Sequence, residues 1–304
     1  MNYIQTKKRQ FQESAWLLGI CERGFDDLKE NRVHWISNGK YEGKKWFADP
    51  FILNKEENAI HLLVEEFDYK VHRGRIAKLT INRENWIVED CKIVLDLPTH
   101  LSFPMIWREN GIIYVCPENY KSGGWNMYRY DELNEKLEFE QEILKIPLTD
   151  SIILNIKKSY YILSTFVPTP SGSCLSIWQF DKMKGTYDKV QDVTFNENIA
   201  RNAGMIFCHD GEMIRPAQEC NETYGHALSF QQVCINDGLF SFKEKFRWYS
   251  IHPQYCLGCH TYNQHEGMAV IDVKGYRYPI MGRYLKHVDA VLEKIHLKKP
   301  YKPV

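Results

Sequence analysis

The chain has 304 residues, 44% of them hydrophobic and 13% aromatic, with a formal net charge of zero at neutral pH. That length can bury a large core, as one β-rich domain or as two ordinary ones. Balanced charge without a long single-sign run excludes the electrostatic footprint of a nucleic-acid binder, and no apolar run approaches the roughly 20 residues of a membrane-spanning helix.

The first twelve residues are polar and basic and lack the apolar core of a signal peptide. Nine cysteines at irregular spacings fit reduced thiols better than a disulfide framework. The expectation is a cytoplasmic protein with no membrane span, compatible with peripheral association at a membrane surface. A polar tail, residues 1–13, precedes a first strand at Ala15–Ile20.

Trp46-Phe47-Ala48-Asp49-Pro50-Phe51-Ile52-Leu53 then places one acid in an apolar, strand-forming run. Asp is depleted in strands and a buried carboxylate is costly, so Asp49 is expected to be the first inward-pointing residue of a pocket. Strands follow at Ile60–Phe67, Arg75–Ile81 and Trp86–Val94. The pattern restarts at His100–Trp107, Leu148–Leu154, Arg201–Phe207 and His260–Asn263, and each restart is followed by further short β segments.

Marked by Asp49, Ser102, Asp150, Asn202 and Thr261, the restarts recur about every 50 residues, which is the length of a four-stranded propeller blade. The fold class is therefore all-β, a five-bladed β-propeller over residues 14–283. The strand at 15–20 is placed to complete the last blade and remove an open edge. Leu285, Val288, Val291, Leu292 and Ile295 at helical spacing predict one short C-terminal helix over 284–296, within a final segment 284–304 packed outside the ring.

In such a ring the first strand of each blade lines the channel, so Asp49, Asp150, Glu118 and Glu219 can all approach one mouth. Two carboxylates with separated proton affinities are the minimal apparatus for chemistry at a glycosidic bond. The same residues could instead cap strand ends. Only one of Glu65 and Glu66 can face the rim, because neighbours in a strand alternate. Arg201 and Arg215, with Gln218, Glu219 and Tyr224, offer forks for a carboxylate or phosphate, or else an internal Arg–Glu pair. His100, His226 and His260 suit proton transfer or donation to sugar hydroxyls. Trp46, Trp107, Trp125, Trp178 and Trp248 could stack on a sugar ring or fill the core. Cys256-Leu257-Gly258-Cys259-His260 matches a haem-attachment pentapeptide formally, but its setting reads as a buried segment of blade five, with no metal or cofactor assigned. No Gly-rich phosphate loop is present.

Ala48-Asp49-Pro50 resembles the opening of the five-bladed propeller glycoside hydrolases, which include arabinanases, β-xylosidases and fructosidases. A closer resemblance rests on His100-Leu101-Ser102-Phe103-Pro104, Pro117-Glu118, Arg215-Pro216-Ala217-Gln218-Glu219-Cys220, Tyr224-Gly225 and His260-Thr261-Tyr262-Asn263. These motifs are similar to the propeller domain N-terminal to the transferase domain of plant glucosamine inositolphosphorylceramide transferases, and to free-standing bacterial relatives in polysaccharide biosynthesis. The hydrolase resemblance implies Asp49 as base or nucleophile, Asp150 as the aspartate that tunes proton affinities and Glu219 as general acid, although Arg-Pro-Ala-Gln-Glu departs from the hydrolase Glu-Gly pattern. Glu118 is the other candidate acid. Glu65, His100, Ser102, Arg201, Asn202, Arg215, Gln218, Tyr224, His226, His260 and Tyr262 are expected to bind substrate.

The expected function is glycosyl transfer in bacterial surface polysaccharide or glycolipid biosynthesis, with a carbohydrate or glycolipid acceptor and a nucleotide sugar as donor. The alternatives are a glycoside hydrolase or phosphorylase, and a non-catalytic glycan-binding propeller.

Overall fold

The computed structural model describes residues 13–294. Five four-stranded antiparallel sheets form the blades of a propeller. Blade one holds β3 (Lys45–Lys55), β4 (Ala59–Asp68), β5 (Gly74–Asn82) and β6 (Ile87–Leu95), and blade two holds β7 (Ser102–Glu109), β8 (Ile112–Glu118), β9 (Trp125–Asp131) and β10 (Lys136–Leu144). Blade three contains β11 (Leu148–Ile156), β12 (Ser159–Phe166), β13 (Cys174–Asp181) and β14 (Thr186–Thr194). Blade four contains β15 (Phe207–His209), β16 (Glu212–Glu219), β17 (Ala227–Asn236) and β18 (Leu239–Trp248). The last blade joins both ends of the ring, in the order β19 (Tyr262–His265), β20 (Met268–Tyr276), β1 (Ser14–Cys21) and β2 (His34–Trp35).

β1 pairs with β20 along its whole length, from Ser14 opposite Tyr276 to Cys21 opposite Ala269. This closure leaves no unpaired edge between the first and last strands of the ring. The propeller and its closing strand agree with the sequence expectation, and two local features differ from it.

The inner part of blade four is not a continuous strand. Only Phe207–His209 is regular, and Asn202 makes an isolated bridge to Ala217. The C-terminal helix, α2 (Pro279–Lys294), begins five residues earlier than expected, and residues 295 and 296 lie outside the described residues. A one-turn helix, α1 (Phe25–Lys29), stands in the connection between β1 and β2.

The inner strands of the first three blades share one irregularity. Asp49-Pro50 lie opposite the single residue Val64, Phe103-Pro104 opposite Pro117, and Asp150-Ser151 opposite Ser164. Each is a two-against-one bulge whose first residue is left-handed, with φ of 51° at Asp49, 42° at Phe103 and 43° at Asp150. Proline is tolerated at 50 and 104 because a bulge leaves an amide out of the ladder. By position in the bulge, Phe103 rather than Ser102 is the equivalent of Asp49 in blade two.

The cores lie between the blades. Phe47, Ile52 and Leu62 of blade one pack on Leu18, Ile20 and Val270 of the last blade. Phe25 of α1, Phe230 and Tyr262 join blades four and five, with Phe25 and Phe230 centroids 4.7 Å apart. Leu18 is fully buried on the closing strand. We expect Leu18→Ala to lower unfolding free energy by about 2–5 kcal/mol in urea titrations. A smaller loss would show that the closing strand contributes little to the ring.

Candidate functional site

The bulges aim backbone amides and side chains into the channel, where carboxylates receive them. Asp49 N–H donates to Asp272 Oδ2 at 2.9 Å, and Phe103 N–H donates to Asp49 Oδ2 at 3.0 Å. Asp150 N–H donates to Glu118 Oε2 at 2.9 Å. Each of these bonds ties one blade to the next.

Above this layer lies a cavity of about 310 Å³ at the mouth of the channel. That volume lies at the lower end for small-ligand sites. Asp49, Glu65, His100, Ser102, Glu118, Arg201, Tyr224 and His260 line it, from the set expected on sequence. Trp46, offered earlier as a stacking platform, is also present, and Trp16, Tyr120 and Lys121 complete the wall.

His260 forms one side of the cavity. Trp16 stacks on its ring at 3.8 Å between centroids, and Tyr224 meets it edge-on at 5.4 Å. Its Nδ1 donates to Asp272 Oδ1 at 2.8 Å, which leaves Nε2 facing Asp49 Oδ1 at 3.6 Å. Burial disfavours the imidazolium, but the charges of Asp272 and Asp49 override it and hold His260 above its ordinary range. Asp49 also accepts from Thr261 Oγ1 at 2.7 Å. Burial pushes the Asp49 carboxyl up to about 7, against the pull of His260 and with a smaller push from Asp150, Glu65 and Asp272. A carboxyl that exchanges its proton near neutrality suits general acid or base work.

On the other side, Arg201 Nε donates to Asp150 Oδ2 at 2.5 Å and Nη2 to Glu118 Oε2 at 3.2 Å. Burial raises the Glu118 carboxyl well above the usual range, and the neighbouring Asp150 charge adds to it. Burial acts in the same direction on Asp150, but the adjacent guanidinium overrides it and holds Asp150 below its ordinary value. The proton affinities of the pair are thus pushed apart, Glu118 upward and Asp150 downward.

At the rim, Gly74 N–H donates to His100 Nδ1 at 2.9 Å, which fixes the tautomer and turns Nε2–H toward Glu65 Oε1 at 3.1 Å. A side chain on Gly74 would collide with the Leu101 carbonyl and with Glu65 and His100.

The remaining candidates lie behind the cavity or away from it. Gln218 Nε2 donates to Asp150 Oδ2 at 2.6 Å and Asn202 Nδ2 to the Asp150 carbonyl at 2.8 Å, so both hold the bulge of blade three from beneath. Glu219 points to the opposite face of β16 and accepts from His226 Nδ1 at 2.7 Å, and neither residue lines the cavity. Tyr262 is fully buried in the core between blades four and five. Arg215 is fully buried with no carboxylate in salt-bridge range among the described residues. Its guanidinium donates to Asn202 Oδ1, Gln231 Oε1 and the Ala200 carbonyl, and burial lowers its pKa to about 9. It neither faces the cavity nor forms the internal Arg–Glu pair.

Asp49, His260 and Asp272 offer three ligand atoms within 4.8 Å of one another. Asp272 Oδ1 already accepts from the amides of His260 and Thr261 and from His260 Nδ1, so these atoms serve a hydrogen-bond cluster. Cys259 is buried and Cys256 exposed, and all nine cysteines are unpaired.

The fold is that of a five-bladed β-propeller. It resembles a GH43 β-1,3-galactosidase solved with galactodeoxynojirimycin, with a TM-score of 0.51 and 9% identity over 71% of this chain and 83% of that one. It also resembles a GH43 β-xylosidase/α-arabinofuranosidase from a compost microbial metagenome in complex with xylotriose, with a TM-score of 0.50 and 11% identity over 73% and 83%. At these identities the likeness is one of fold.

The sequence is more specific. Residues 35–247 match the family described as glucosamine inositolphosphorylceramide transferase 1, N-terminal, and the chain belongs to that family. It is 31% identical over 198 residues to glucosamine inositolphosphorylceramide transferase 1 of Arabidopsis thaliana, covering 62% of this chain and 25% of that protein. The protein of the same name from Oryza sativa subsp. japonica is 25% identical over 193 residues, covering 61% and 26%. The chain thus spans about a quarter of the length of the curated relatives it matches.

The raised affinity of Asp49 for its proton has a direct consequence for stability. The native carboxyl holds the proton more tightly than the unfolded chain does, so its contribution is complete below about pH 4 and is lost as pH rises to about 7. Urea unfolding across that window should show wild-type stability falling relative to Asp49→Asn. A flat difference would contradict the assignment.

Proposed function

We propose that the protein transfers a glycosyl group from an activated donor to a carbohydrate or glycolipid acceptor, with the reaction at the channel mouth. The observation that carries this reading is the pair Asp49 and Glu118. Both face one aromatic-walled cavity, and both hold their protons more tightly than an ordinary carboxyl. Glu118 is the proton donor to the leaving group, and Asp49, exchanging its proton near neutral pH beside His260, is the base that receives the acceptor's proton. In the named relatives a propeller of this family accompanies a transferase domain, which supports a role in glycosyl transfer.

The sugar sits against Trp16, Trp46 and Tyr224, whose rings provide apolar faces beside polar groups. Arg201 is engaged by Asp150 and Glu118, so a donor phosphate is met at the rim by Lys121 rather than by the two arginines together. A role in glycolipid biosynthesis fits the family's description, and a cytoplasmic setting fits the nine unpaired thiols.

Incubation with a panel of nucleotide sugars and glycan acceptors should release nucleotide and form product. Asp49→Asn and Glu118→Gln should each reduce turnover by roughly 10²–10⁴-fold, whereas Glu219→Gln should retain it within a few-fold. Absence of nucleotide release across the panel, together with cleavage of aryl glycosides that Asp49→Asn abolishes, would replace transfer with hydrolysis. Glycan binding without turnover by either route would make the propeller a binding module.

A further inference from the structure

A second cavity, of about 440 Å³, opens between blades two and three, within the size range of small-molecule sites. β7 starts at Ser102 in the channel mouth and ends at Glu109 in this cavity, so at about 3.3 Å per residue the two lie roughly 20 Å apart. The acid–base groups of the mouth make no use of it.

Its walls are built from cross-strand aromatic pairs. Trp107 of β7 stands opposite Tyr114 of β8, and Phe180 of β13 stands opposite Tyr187 of β14, while Tyr160 of β12 meets Trp107 across the gap between the blades. All five side chains are half-buried and border the cavity. Trp107 and Tyr160 meet at 64° with ring centroids 6.2 Å apart, and Phe180 and Tyr187 at 62° and 5.2 Å. Rings inclined in this way form the corners of a box, whereas a sugar ring needs one flat apolar face on which to lie. The shape suits a compact, rounded group.

Charge identifies that group. Among the described residues no Lys, Arg or His lines the cavity, whereas Glu109, Glu140 and Glu142 do. Glu140 and Glu142 stand at the exposed rim, with Arg129 at 3.9 Å and Lys145 at 3.6 Å. Glu109 is half-buried at the end of β7; Tyr160 Oη donates to its Oε1 at 2.5 Å, and no basic side chain of the described residues pairs with it. Elsewhere the protein places its own cations over rings, as with Arg201 over Tyr224 and Lys274 over Trp16. Here the rings and the carboxylate are present without the cation. A primary ammonium is strongly hydrated and brings three donors to satisfy, but an alkylated ammonium sheds water readily and gains directly from aromatic faces.

We infer that this cavity binds a quaternary ammonium group, with its alkyl groups against Trp107, Tyr160 and Tyr187 and its charge facing Glu109. Free choline-type cations and the choline headgroups of lipids share this chemistry. The inference does not rest on glycosyl transfer, because the cavity is remote from the channel mouth.

The test is calorimetric titration of the full chain, at constant ionic strength, with choline and with its neutral isostere, in which a tert-butyl group replaces the trimethylammonium. Choline should bind about tenfold or more tightly than the isostere. Glu109→Gln keeps the shape of the wall and should weaken choline by about threefold or more while leaving the thermal midpoint of the free protein unchanged. Tyr187→Leu, on the outermost strand of blade three, should weaken it by a similar factor. Choline-competed binding to phosphatidylcholine vesicles would make the ligand a headgroup, and choline binding without vesicle binding would make it a free cation; either supports the proposal. Equal affinity for choline and the isostere, binding of neither, or unaltered choline affinity in Glu109→Gln overturns it. A neutral oligosaccharide that binds here in place of choline, and is lost in Tyr187→Leu, also overturns it and makes the cavity a second glycan site. Glycosyl transfer should be the same for wild type and Glu109→Gln, so failure of cation binding is separable from failure of the enzymatic reading.

Discussion

The structure depends on a chain of bonds in which a buried carboxylate of one blade receives a bulge amide of the next. Asp272 of the last blade takes the amide of Asp49, Asp49 takes that of Phe103, and Glu118 takes that of Asp150. Asn202 continues the sequence to the Asp150 carbonyl, and Asn263 returns to the carbonyl of Pro50. A bulge frees an amide from the ladder, and a freed amide in a buried channel requires an acceptor. The carboxylates that line the channel are therefore structural before they are chemical.

This requirement also sets the electrostatics. Carboxyl groups brought together out of water cannot all remain ionised unless cations are supplied. The channel supplies Arg201 on one side and His260 on the other. Arg201 lowers the proton affinity of Asp150 while burial and the Asp150 charge raise that of Glu118, and His260 only partly offsets the burial of Asp49. The spread of proton affinities that acid–base chemistry needs follows from the arrangement that closes the ring. Asp150 contributes through this balance: it lies beneath the wall and acts on Arg201 and Glu118 rather than on the contents of the cavity.

Much of the fold was legible because blade strands repeat about every 50 residues and because Asp49 stands out in an apolar run. The same signal exists at Asp272, an acid inside the apolar run from Met268 to Val273. The bulges were not legible, since two residues opposite one break the alternation on which side-chain direction is inferred. That is why the repeat alone marks blade two at Ser102 rather than at Phe103. In β16 alternation decides between neighbours: Gln218 turns to Asp150 and Glu219 to His226. Trp16, Tyr120 and Lys121 come from the closing strand and from a connection outside the repeat, where no period assigns a direction. Arg215 was unreadable for a different reason, because its acceptors are an amide oxygen from each of Asn202 and Gln231 and a backbone carbonyl, and no acid nearby in sequence announces them.

The central claim is that the reacting carbon lies between Asp49 and Glu118. A crystal structure of the protein soaked with a hydrolysis-resistant nucleotide sugar tests this most directly. The account expects the sugar ring inside the cavity against Trp16 and Tyr224, its anomeric carbon flanked by the two carboxyl groups and its phosphates at Lys121. A sugar bound outside this cavity, or one whose anomeric carbon faces neither carboxyl group, would contradict it.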